Sequence, residues 1–312
     1  MMKSSLIVWM LAVLLGFTFI ACEEEETMDK PNAEKTVAEI AADDAQFSTL
    51  VGALERVNLV DVLNGAGPFT VFAPTNAAFE ALGVDLSTLS DEALTEILLY
   101  HVFGGASIRA QDIGEGQTYL GMATNTGPNS TNLSLLVEND GSKVTINGNI
   151  NVTATDITGN NGVIHVVDQV IMPLDIVGHA AANSNFTTLV GALGTANGDL
   201  VSVLSGEGPF TVFAPLNSAF EQISDVVAGL NADQLAAVLT YHVVGGNVRS
   251  SNLSDGLSVT TVNGDTFTVN ISGSGVTITD AEGEIANVLL TDVQATNGVI
   301  HVLDKVILPT DI

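Results

Sequence analysis

Apolar and polar positions follow two different rhythms along the chain, first a helical one and then an extended one. Phe47, Leu50, Val51 and Leu54 recur at the three-to-four-residue spacing of a helix face. Residues 69–73 form a short apolar run that follows Gly-Pro and ends at a proline, which is typical of a buried strand. The pattern therefore predicts helices that pack against a short central strand.

Polar residues at the starts of the apolar blocks predict where further helices begin and end. Asn76 and Asn217 precede short apolar stretches and are expected to be helix N-caps. Ser90 is expected to open a second helix that runs to Tyr100, and Asn231 with a glutamine three residues later resembles a capping box. The glycine pairs 104–105 and 245–246 are expected to end these helices.

The second half of each block is extended. Residues 133–138 and 143–147 flank a turn sequence at 139–142, which predicts a hairpin, and residues 262–264 and 267–271 suggest a similar one. Residues 163–172 and 299–308 predict long apolar strands. A helical half followed by a β-rich half gives an α+β fold, a β-sheet wedge packed with several helices.

The chain contains this unit twice. The sequence GPFTVFAPTNAAF at 67–79 returns as GPFTVFAPLNSAF at 208–220, and NGVIHVVDQVIMPLDI at 161–176 returns as NGVIHVLDKVILPTDI at 297–312. We therefore predict two domains, repeat 1 at 36–174 and repeat 2 at 175–312. Asp175 lies at the boundary, where it is placed to cap the first helix of repeat 2. Almost no linker remains, so the two domains are expected to abut.

The amino terminus resembles a bacterial lipoprotein signal. Residues 6–21 are almost wholly apolar, too short for a span of about 20 residues, and they end at Cys22, the single cysteine of the chain. We predict a signal peptide at 1–21, lipidation of Cys22 and an acidic tether at 22–35. The four glutamates after Cys22 are similar to a signal that directs lipoproteins to the outer face of some Gram-negative bacteria. Ordinary secretion with a free thiol and a merely solvated tether are the alternatives.

The charge balance excludes several classes of partner. The 312 residues include 36 acidic and 8 basic side chains, which give a formal net charge of −28. Without basic clusters the chain is a poor ligand for nucleic acid or for an anionic membrane surface, so a membrane is expected only through the lipid anchor. One cysteine excludes an intramolecular disulfide and a thiolate zinc cage. Self-repulsion at this charge favours a soluble monomer.

The repeated boxes resemble the fasciclin domain. The GPFTVFAP box, the Tyr-His pair and the NGVIH box occur in order in both copies. The resemblance implies an adhesion protein of the cell surface or extracellular matrix. It also implies possible partner-binding residues, which are Tyr100, His101, Asp156 and Ile157 in repeat 1 and Tyr241, His242, Asp292 and Val293 in repeat 2. Val293 replaces the isoleucine of the family pattern, and the flanking Asn-Lys of that pattern is absent, which argues against integrin as the partner.

Structural interpretations compete with these roles. His165 and His301 lie in apolar strands, so we expect them to be buried and hydrogen-bonded rather than to bind metal. His101 and His242 follow helix ends, where a positive charge would favour the helix dipole. Asp168 and Asp304 are expected to contact a turn or a backbone amide.

Three classes of function remain after this inventory. The sequence lacks G-x-S-x-G, a phosphate-binding loop and H-E-x-x-H, so an enzyme is the least favoured and neither cofactor nor metal is expected. Adhesion to matrix, polysaccharide or a neighbouring cell through the paired domains is the leading prediction. The alternative is a carrier of a small apolar ligand similar to a carotenoid, because some fasciclin relatives resemble carotenoid carriers.

Overall fold

The computed structural model describes residues 34–273, 275–310 and 312. The predicted signal peptide, the lipidation site Cys22 and nearly all of the acidic tether lie outside the described residues.

Repeat 1 places its helices before and between its first two strands. The helices are α1 (Val37–Asp43), α2 (Ser48–Arg56), α3 (Val60–Leu63), α4 (Asn76–Leu82) and α5 (Asp91–Tyr100). The strands are β1 (Phe69–Pro74), β2 (Val102–Gly104), β3 (Gly116–Gly121), β4 (Ser134–Asn139), β5 (Val144–Ile146), β6 (Ile150–Thr158) and β7 (Gly162–Val167). Single 3₁₀ turns at Ala45–Phe47 and Ala110–Asp112 matter below.

Repeat 2 follows the same order with one additional helix. Its helices are α6 (Ile176–Ala182), α7 (Thr187–Thr195), α8 (Leu200–Leu204), α9 (Asn217–Gln222), α10 (Ser224–Gly229) and α11 (Ala232–Tyr241). Its strands are β8 (Phe210–Pro215), β9 (Val243–Gly245), β10 (Leu257–Thr260), β11 (Thr266–Ser272), β12 (Gly275–Thr279), β13 (Ile285–Ala295) and β14 (Gly298–Leu303). The 3₁₀ turns Ser184–Phe186 and Ser250–Asn252 match those of repeat 1.

Each repeat builds its own seven-stranded sheet. The order is β2-β1-β7-β6-β5-β4-β3 in repeat 1 and β10-β11-β12-β13-β14-β8-β9 in repeat 2, the same arrangement listed from the opposite edge. The central pairs β1/β7 and β8/β14 are parallel, whereas the other pairs are antiparallel. The predicted α+β fold of two sheet wedges backed by helices is confirmed.

Two apolar clusters fill each repeat, one on the helical side and one inside the wedge. In repeat 1 the helical cluster includes Phe47 and Leu98, and the wedge cluster includes Phe72, Tyr100 and Leu135. These side chains are at most 1% exposed. Repeat 2 repeats both clusters. Each repeat therefore buries its own core, as expected for a domain that folds around one sheet.

Several predicted element ends are corrected by strand pairing. Helix α5 ends at Tyr100 rather than at the glycine pair, because the chain reverses at once so that β2 pairs with β1. The strand predicted at 163–172 stops at Val167, which pairs with Pro74, the end of β1. The strand predicted at 299–308 stops at Leu303 opposite Pro215 for the same reason. A proline has no N–H with which to extend the ladder.

The two predicted hairpins have different outcomes. Strands β4 and β5 flank the turn at 139–142, with Asn139 paired to Val144, so the first hairpin is confirmed. Residues 262–264 are not a strand but the turn between β10 and β11, where Asn263 accepts a hydrogen bond from the N–H of Asp265 at 2.9 Å. A short polar side chain that bonds the backbone two residues on favours a turn over a ladder.

Neutral polar side chains join the two repeats. Tyr119 of β3 packs against the helical core of repeat 2, and its hydroxyl accepts a hydrogen bond from Asn183 Nδ2 at 2.9 Å. Asn185 Nδ2 donates to Gln117 Oε1 at 2.7 Å. The N–H of Gln294 donates to Ser134 Oγ at 2.9 Å. These three bonds join neutral groups, and the carboxylate of Glu138, 3.4 Å from Ser184 Oγ, adds a charged acceptor at the junction.

Candidate functional site

The Tyr-His segments lie inside the wedge and not on its surface. The hydroxyl of Tyr100 donates to the carbonyl of Ser134 at 2.7 Å, and that of Tyr241 donates to the carbonyl of Thr266 at 2.9 Å. Both tyrosines are 0% exposed. Burial raises the pKa of Tyr241 to about 12 and also raises the pKa of Tyr100. A partner cannot reach either side chain, so the prediction that they are contact residues is wrong.

The two histidines that follow these tyrosines are equally inaccessible. His101 is 1% exposed and His242 is 2% exposed. Burial lowers the pKa of each to about 4, so both are neutral at ordinary pH. The expected positive charge at the helix end is therefore wrong, because desolvation outweighs the helix dipole. The prediction of partner contact through these histidines is also wrong.

The histidines of the NGVIH boxes hold the segment that follows the second strand of each repeat. His165 Nε2 lies 2.8 Å from the carbonyl oxygen of Ile108, and His301 Nε2 lies 2.9 Å from that of Val248. Both residues are nearly fully buried, and burial lowers their pKa. The expectation that they are buried and hydrogen-bonded to a neighbouring segment is confirmed.

The predicted partner-binding aspartates lie on bulges of the sheet. Asp156 and Asp292 have left-handed φ values of 63° and 64°, where the pairing of β6 with β7 and of β13 with β14 shifts register. Aspartate is one of the few residues that tolerate this conformation. The bulge turns each carboxylate toward the 3₁₀ turn described above, where Asp156 Oδ1 accepts from the N–H of Ala110 at 2.9 Å and Asp292 Oδ1 accepts from that of Ser250 at 2.8 Å.

The two bulges differ in how much they expose. Asp156 is exposed and Ile157 is half-buried. In repeat 2, Asp292 is half-buried and lies 3.7 Å from the guanidinium of Arg249, whereas Val293 is only 2% exposed. The accessible version of the predicted site therefore lies on repeat 1, and Val293 cannot serve as a contact residue.

Asn76 and Asn217 are not the N-caps of their own helices. Thr75 caps α4, and Leu216 occupies the cap position of α9. Asn76 instead accepts a hydrogen bond from the N–H of Thr49, in the first turn of α2, and Asn217 does the same for Thr188 in α7, both at 2.9 Å. Each asparagine satisfies a free N–H of a neighbouring helix, which spacing along the sequence could not reveal.

The acidic residues after the NGVIH boxes tie two strands together. Asp168 accepts hydrogen bonds from the N–H and the side-chain amide of Asn151 at 2.8 and 2.7 Å, and Asp304 does the same for Asn287 at 2.7 and 2.6 Å. The expected contact with a backbone amide is confirmed for both. Both carboxylates therefore act in the fold, where each joins two neighbouring strands.

Sequence reasoning missed the residues of the inter-repeat junction. His179 of α6 is 1% exposed, its ring lies 6.0 Å from that of Tyr119, and neither ring nitrogen has a hydrogen-bond partner among the described residues. Burial lowers its pKa to about 4. A difference between the two copies could have pointed to these residues, because His179 and Asn183 stand where repeat 1 has Ile40 and Asp44.

The cavities among the described residues differ greatly in size. Two apolar cavities in the helical core of repeat 2 hold about 20 and 40 Å³, far too little for a carotenoid-sized molecule. A larger cleft of about 730 Å³ opens between the repeats. No group of three or more potential metal-ligating side chains occurs within the described ranges. None of the helices described is both long and apolar enough to span a bilayer.

Comparison with known proteins gives a consistent family. The model of the fasciclin domain matches residues 45–173 and 184–309, well over half of the chain. Human periostin is 30% identical over 281 residues, 87% of this chain and 31% of periostin. Protein sll1483 of Synechocystis is 42% identical over 141 residues, 44% of this chain and 74% of that protein.

A solved structure shows the same fold. The domain pair of the insect cell adhesion molecule fasciclin I matches with a TM-score of 0.53 and 18% identity, over 85% of this chain and 98% of that one. The chain spans only about a third of periostin and of pig transforming growth factor-beta-induced protein ig-h3. The likeness therefore establishes the family and the fold. It does not show that this chain has the activities of those longer proteins.

Proposed function

The chain belongs to the fasciclin-domain family, and on that premise we propose that it is an adhesion or interaction protein that acts outside the cell and not an enzyme. Its partner is a component of the matrix, a polysaccharide or the surface of a neighbouring cell. The observation that carries the proposal is the tandem fasciclin pair itself, matched across both repeats. The buried, neutral histidines add to it, because they are fixed in the fold and are not placed to move protons in an open site.

The proposed position is the cell envelope. The apolar run at 6–21 and the following Cys22 support cleavage and lipidation at that cysteine, with an outer-membrane or surface location in a Gram-negative bacterium. The tether at 22–35 would then separate the domains from the lipid by up to about 50 Å, at 3.3–3.6 Å per residue.

The proposed contact surface is the exposed bulge of repeat 1. Asp156 presents a carboxylate beside the half-buried Ile157, whereas the matching pair of repeat 2 is more covered. The two bulges need not contribute equally to binding. The more exposed bulge of repeat 1 is enough to bias binding toward that repeat. The acidic surface makes a cationic or neutral partner more favourable than an anionic one.

Attachment assays test the adhesive role. Deleting the gene should reduce attachment or biofilm cohesion, and the wild-type gene should restore it. Asp156→Asn removes a charge and keeps an oxygen that can bond Ala110 and a side chain that tolerates positive φ. We expect it to fail to restore attachment, while Asp292→Asn, the matched control in repeat 2, restores it. Unchanged attachment of the deletion strain on every surface tried would contradict the proposal.

Labelling with radioactive palmitate tests the anchor separately. The wild-type chain should incorporate the label and fractionate with the outer membrane, whereas Cys22→Ala should do neither. Label in Cys22→Ala would show that lipid is attached elsewhere and would overturn the anchor without touching the adhesive role.

A further inference from the structure

A cleft between the repeats has the size and lining of a ligand site. It is an open cleft of about 730 Å³, a volume within the roughly 300–1,000 Å³ usual for small-molecule sites. Residues 147–150 and 169–174 form one side, and residues 178–187 of repeat 2 form the other. The cleft, which we call the inter-repeat cleft, therefore exists only because the two repeats are joined.

Its rim consists of amide and hydroxyl side chains that are free to bond a ligand. Asn149, Gln169 and Thr187 line the cleft and are exposed. Gln169 Nε2 donates to the carbonyl of Asn149 at 3.2 Å, which leaves its side-chain oxygen open. Asn147, by contrast, is 7% exposed and belongs to the wedge, since its Oδ1 accepts a hydrogen bond from the N–H of Leu136 at 3.1 Å.

Its floor is apolar. Ile150 and Val170 are buried beneath it, and Met172 is 40% exposed although its neighbours Val170 and Ile171 are covered. An apolar floor below a polar rim suits a ligand that has C–H faces and a periphery of hydroxyl groups. Each hydroxyl both donates and accepts, as the amide and hydroxyl groups of the rim also do.

The charge of the residues that line the cleft narrows the class of ligand that it can bind. Glu138 is its single ionisable residue, and no lysine, arginine or histidine lines the cleft. Its Oε1 lies 3.4 Å from Gln117 Nε2 and from Ser184 Oγ. An anionic ligand would meet no positive charge here in a chain of net charge −28. A carboxylate flanked by one amide and one hydroxyl can instead accept hydrogen bonds from the neutral hydroxyl groups of a ligand.

We propose that the inter-repeat cleft binds a neutral saccharide unit. The inference rests on the proposed adhesive function and specifies its partner as the neutral part of a polysaccharide. Because both repeats contribute walls, the ligand would also hold the two domains in one relative position. The equivalent positions of repeat 2, Ile285 and Lys305 in place of Asn149 and Gln169, lack this chemistry, so one site per chain is expected.

Ligand-observed NMR with the full-length protein tests the site. The probes are cellotriose, laminaritriose and triacetylchitotriose as neutral trisaccharides, trigalacturonate as the anion and the glucosamine trimer as the cation. We expect at least one neutral probe to bind and trigalacturonate not to bind. The triple variant Asn149→Ala, Gln169→Ala, Thr187→Ala should weaken binding at least about tenfold, since three exposed hydrogen-bonding side chains are lost.

Two further variants keep the test decisive. Ala181→Trp places a bulky ring in the cleft at an exposed helix position and should abolish binding. Ile285→Ala with Lys305→Ala, the matched control in repeat 2, should leave binding unchanged. Binding that ignores the cleft variants, binding of the cation alone, or no binding of any neutral probe would overturn the inference. Attachment that persists in the cleft variants would leave the adhesive role standing and remove only the cleft from it.

Discussion

The N–H of Ile171 donates a hydrogen bond to His101 Nε2 at 2.8 Å, and this bond fixes the protonation state of the ring. Because Nε2 accepts, the proton of the neutral ring must be on Nδ1, which then donates to the carbonyl of Ile97 at 2.7 Å. His242 makes the same pair of bonds with Val238 at 2.8 Å and Ile307 at 3.2 Å. Each histidine thereby joins the end of a helix to the chain after the last strand.

Replacing His101 with phenylalanine should destabilise the protein while keeping the ring. The N–H of Ile171 and the carbonyl of Ile97 would both lose their partner in a buried site, so we expect unfolding to become easier by at least about 2 kcal/mol. Urea denaturation measures this. His242→Phe should cost less because its bond to Ile307 is longer. A loss below about 0.5 kcal/mol for His101→Phe would contradict the structural role.

Acid should destabilise the protein before its carboxylates titrate. All five histidines are buried, and burial lowers the pKa of each, to about 4 for His101, His179 and His242. The unfolded chain, with histidine pKa near 6.5, binds more protons below that pH, so stability is full above about 6.5 and falls as the pH drops toward 4. Each of the three contributes a loss on the order of 2 kcal/mol by pH 5.

Urea midpoints between pH 7.5 and 5 measure this dependence. The His101→Phe variant supplies the control, because the removal of one titrating group should make its pH dependence shallower. A midpoint that stays constant between pH 6.5 and 5 would show that the histidines are not held neutral by the fold.

Asn76→Ala should lower the free energy of unfolding more than Thr75→Ala, although Thr75 is the N-cap of α4. Asn76 bonds three groups near the start of α2, namely the N–H of Thr49, the carbonyl of Ala45 and the hydroxyl of Ser48. Thr75 makes one capping bond to the N–H of Ala78 at 3.3 Å. We expect a loss of about 2–3 kcal/mol for Asn76→Ala and about 1 kcal/mol for Thr75→Ala, by urea denaturation. The reverse order would indicate that the bridge between the helices contributes little.

Gly148→Ala should disturb the contact between the repeats. A Cβ at this position would lie 2.4 Å from the carbonyl oxygen of Ala182, across the junction. Gly283→Ala has a similar left-handed φ of 85° and open space around the new Cβ, so it isolates the strain of the backbone from the clash. We expect faster limited proteolysis and a larger radius of gyration in solution scattering for Gly148→Ala only. Equal effects of the two variants would mean that the junction yields without separating.

The fold was predictable because the chain states it twice. The boxes around residues 67–79 and 161–176 have fixed neighbours in both copies, and β1 and β7 derived from them form the parallel centre of the sheet. Element ends were less accessible. Proline at position 74 limits the partner strand as well as its own, and that partner lies almost a hundred residues away.

The candidate site was predictable only in part, since burial depends on packing across the fold. Position after a helix suggested that His101 is charged and accessible, yet the wedge closes over it and desolvation keeps it neutral. Asp156 could be placed by its motif, but the register shift that exposes it cannot be read from the sequence. The inter-repeat cleft needs both domains in contact, so its residues carry no shared local signal.

The joint between the repeats also limits how copies of this chain can associate. Ala182 and Asn183 lie at the end of α6 in repeat 2, and the equivalent positions of repeat 1 are Asp43 and Asp44. In repeat 1, two carboxylates therefore replace a small side chain and a neutral amide. On the other side of the joint, the strand register places Ser258 of repeat 2 at the position that Tyr119 holds in repeat 1. Neither half of the internal joint is thus reproduced at the outer ends of the pair. These differences disfavour end-to-end stacking of copies of this chain through a contact of the same kind.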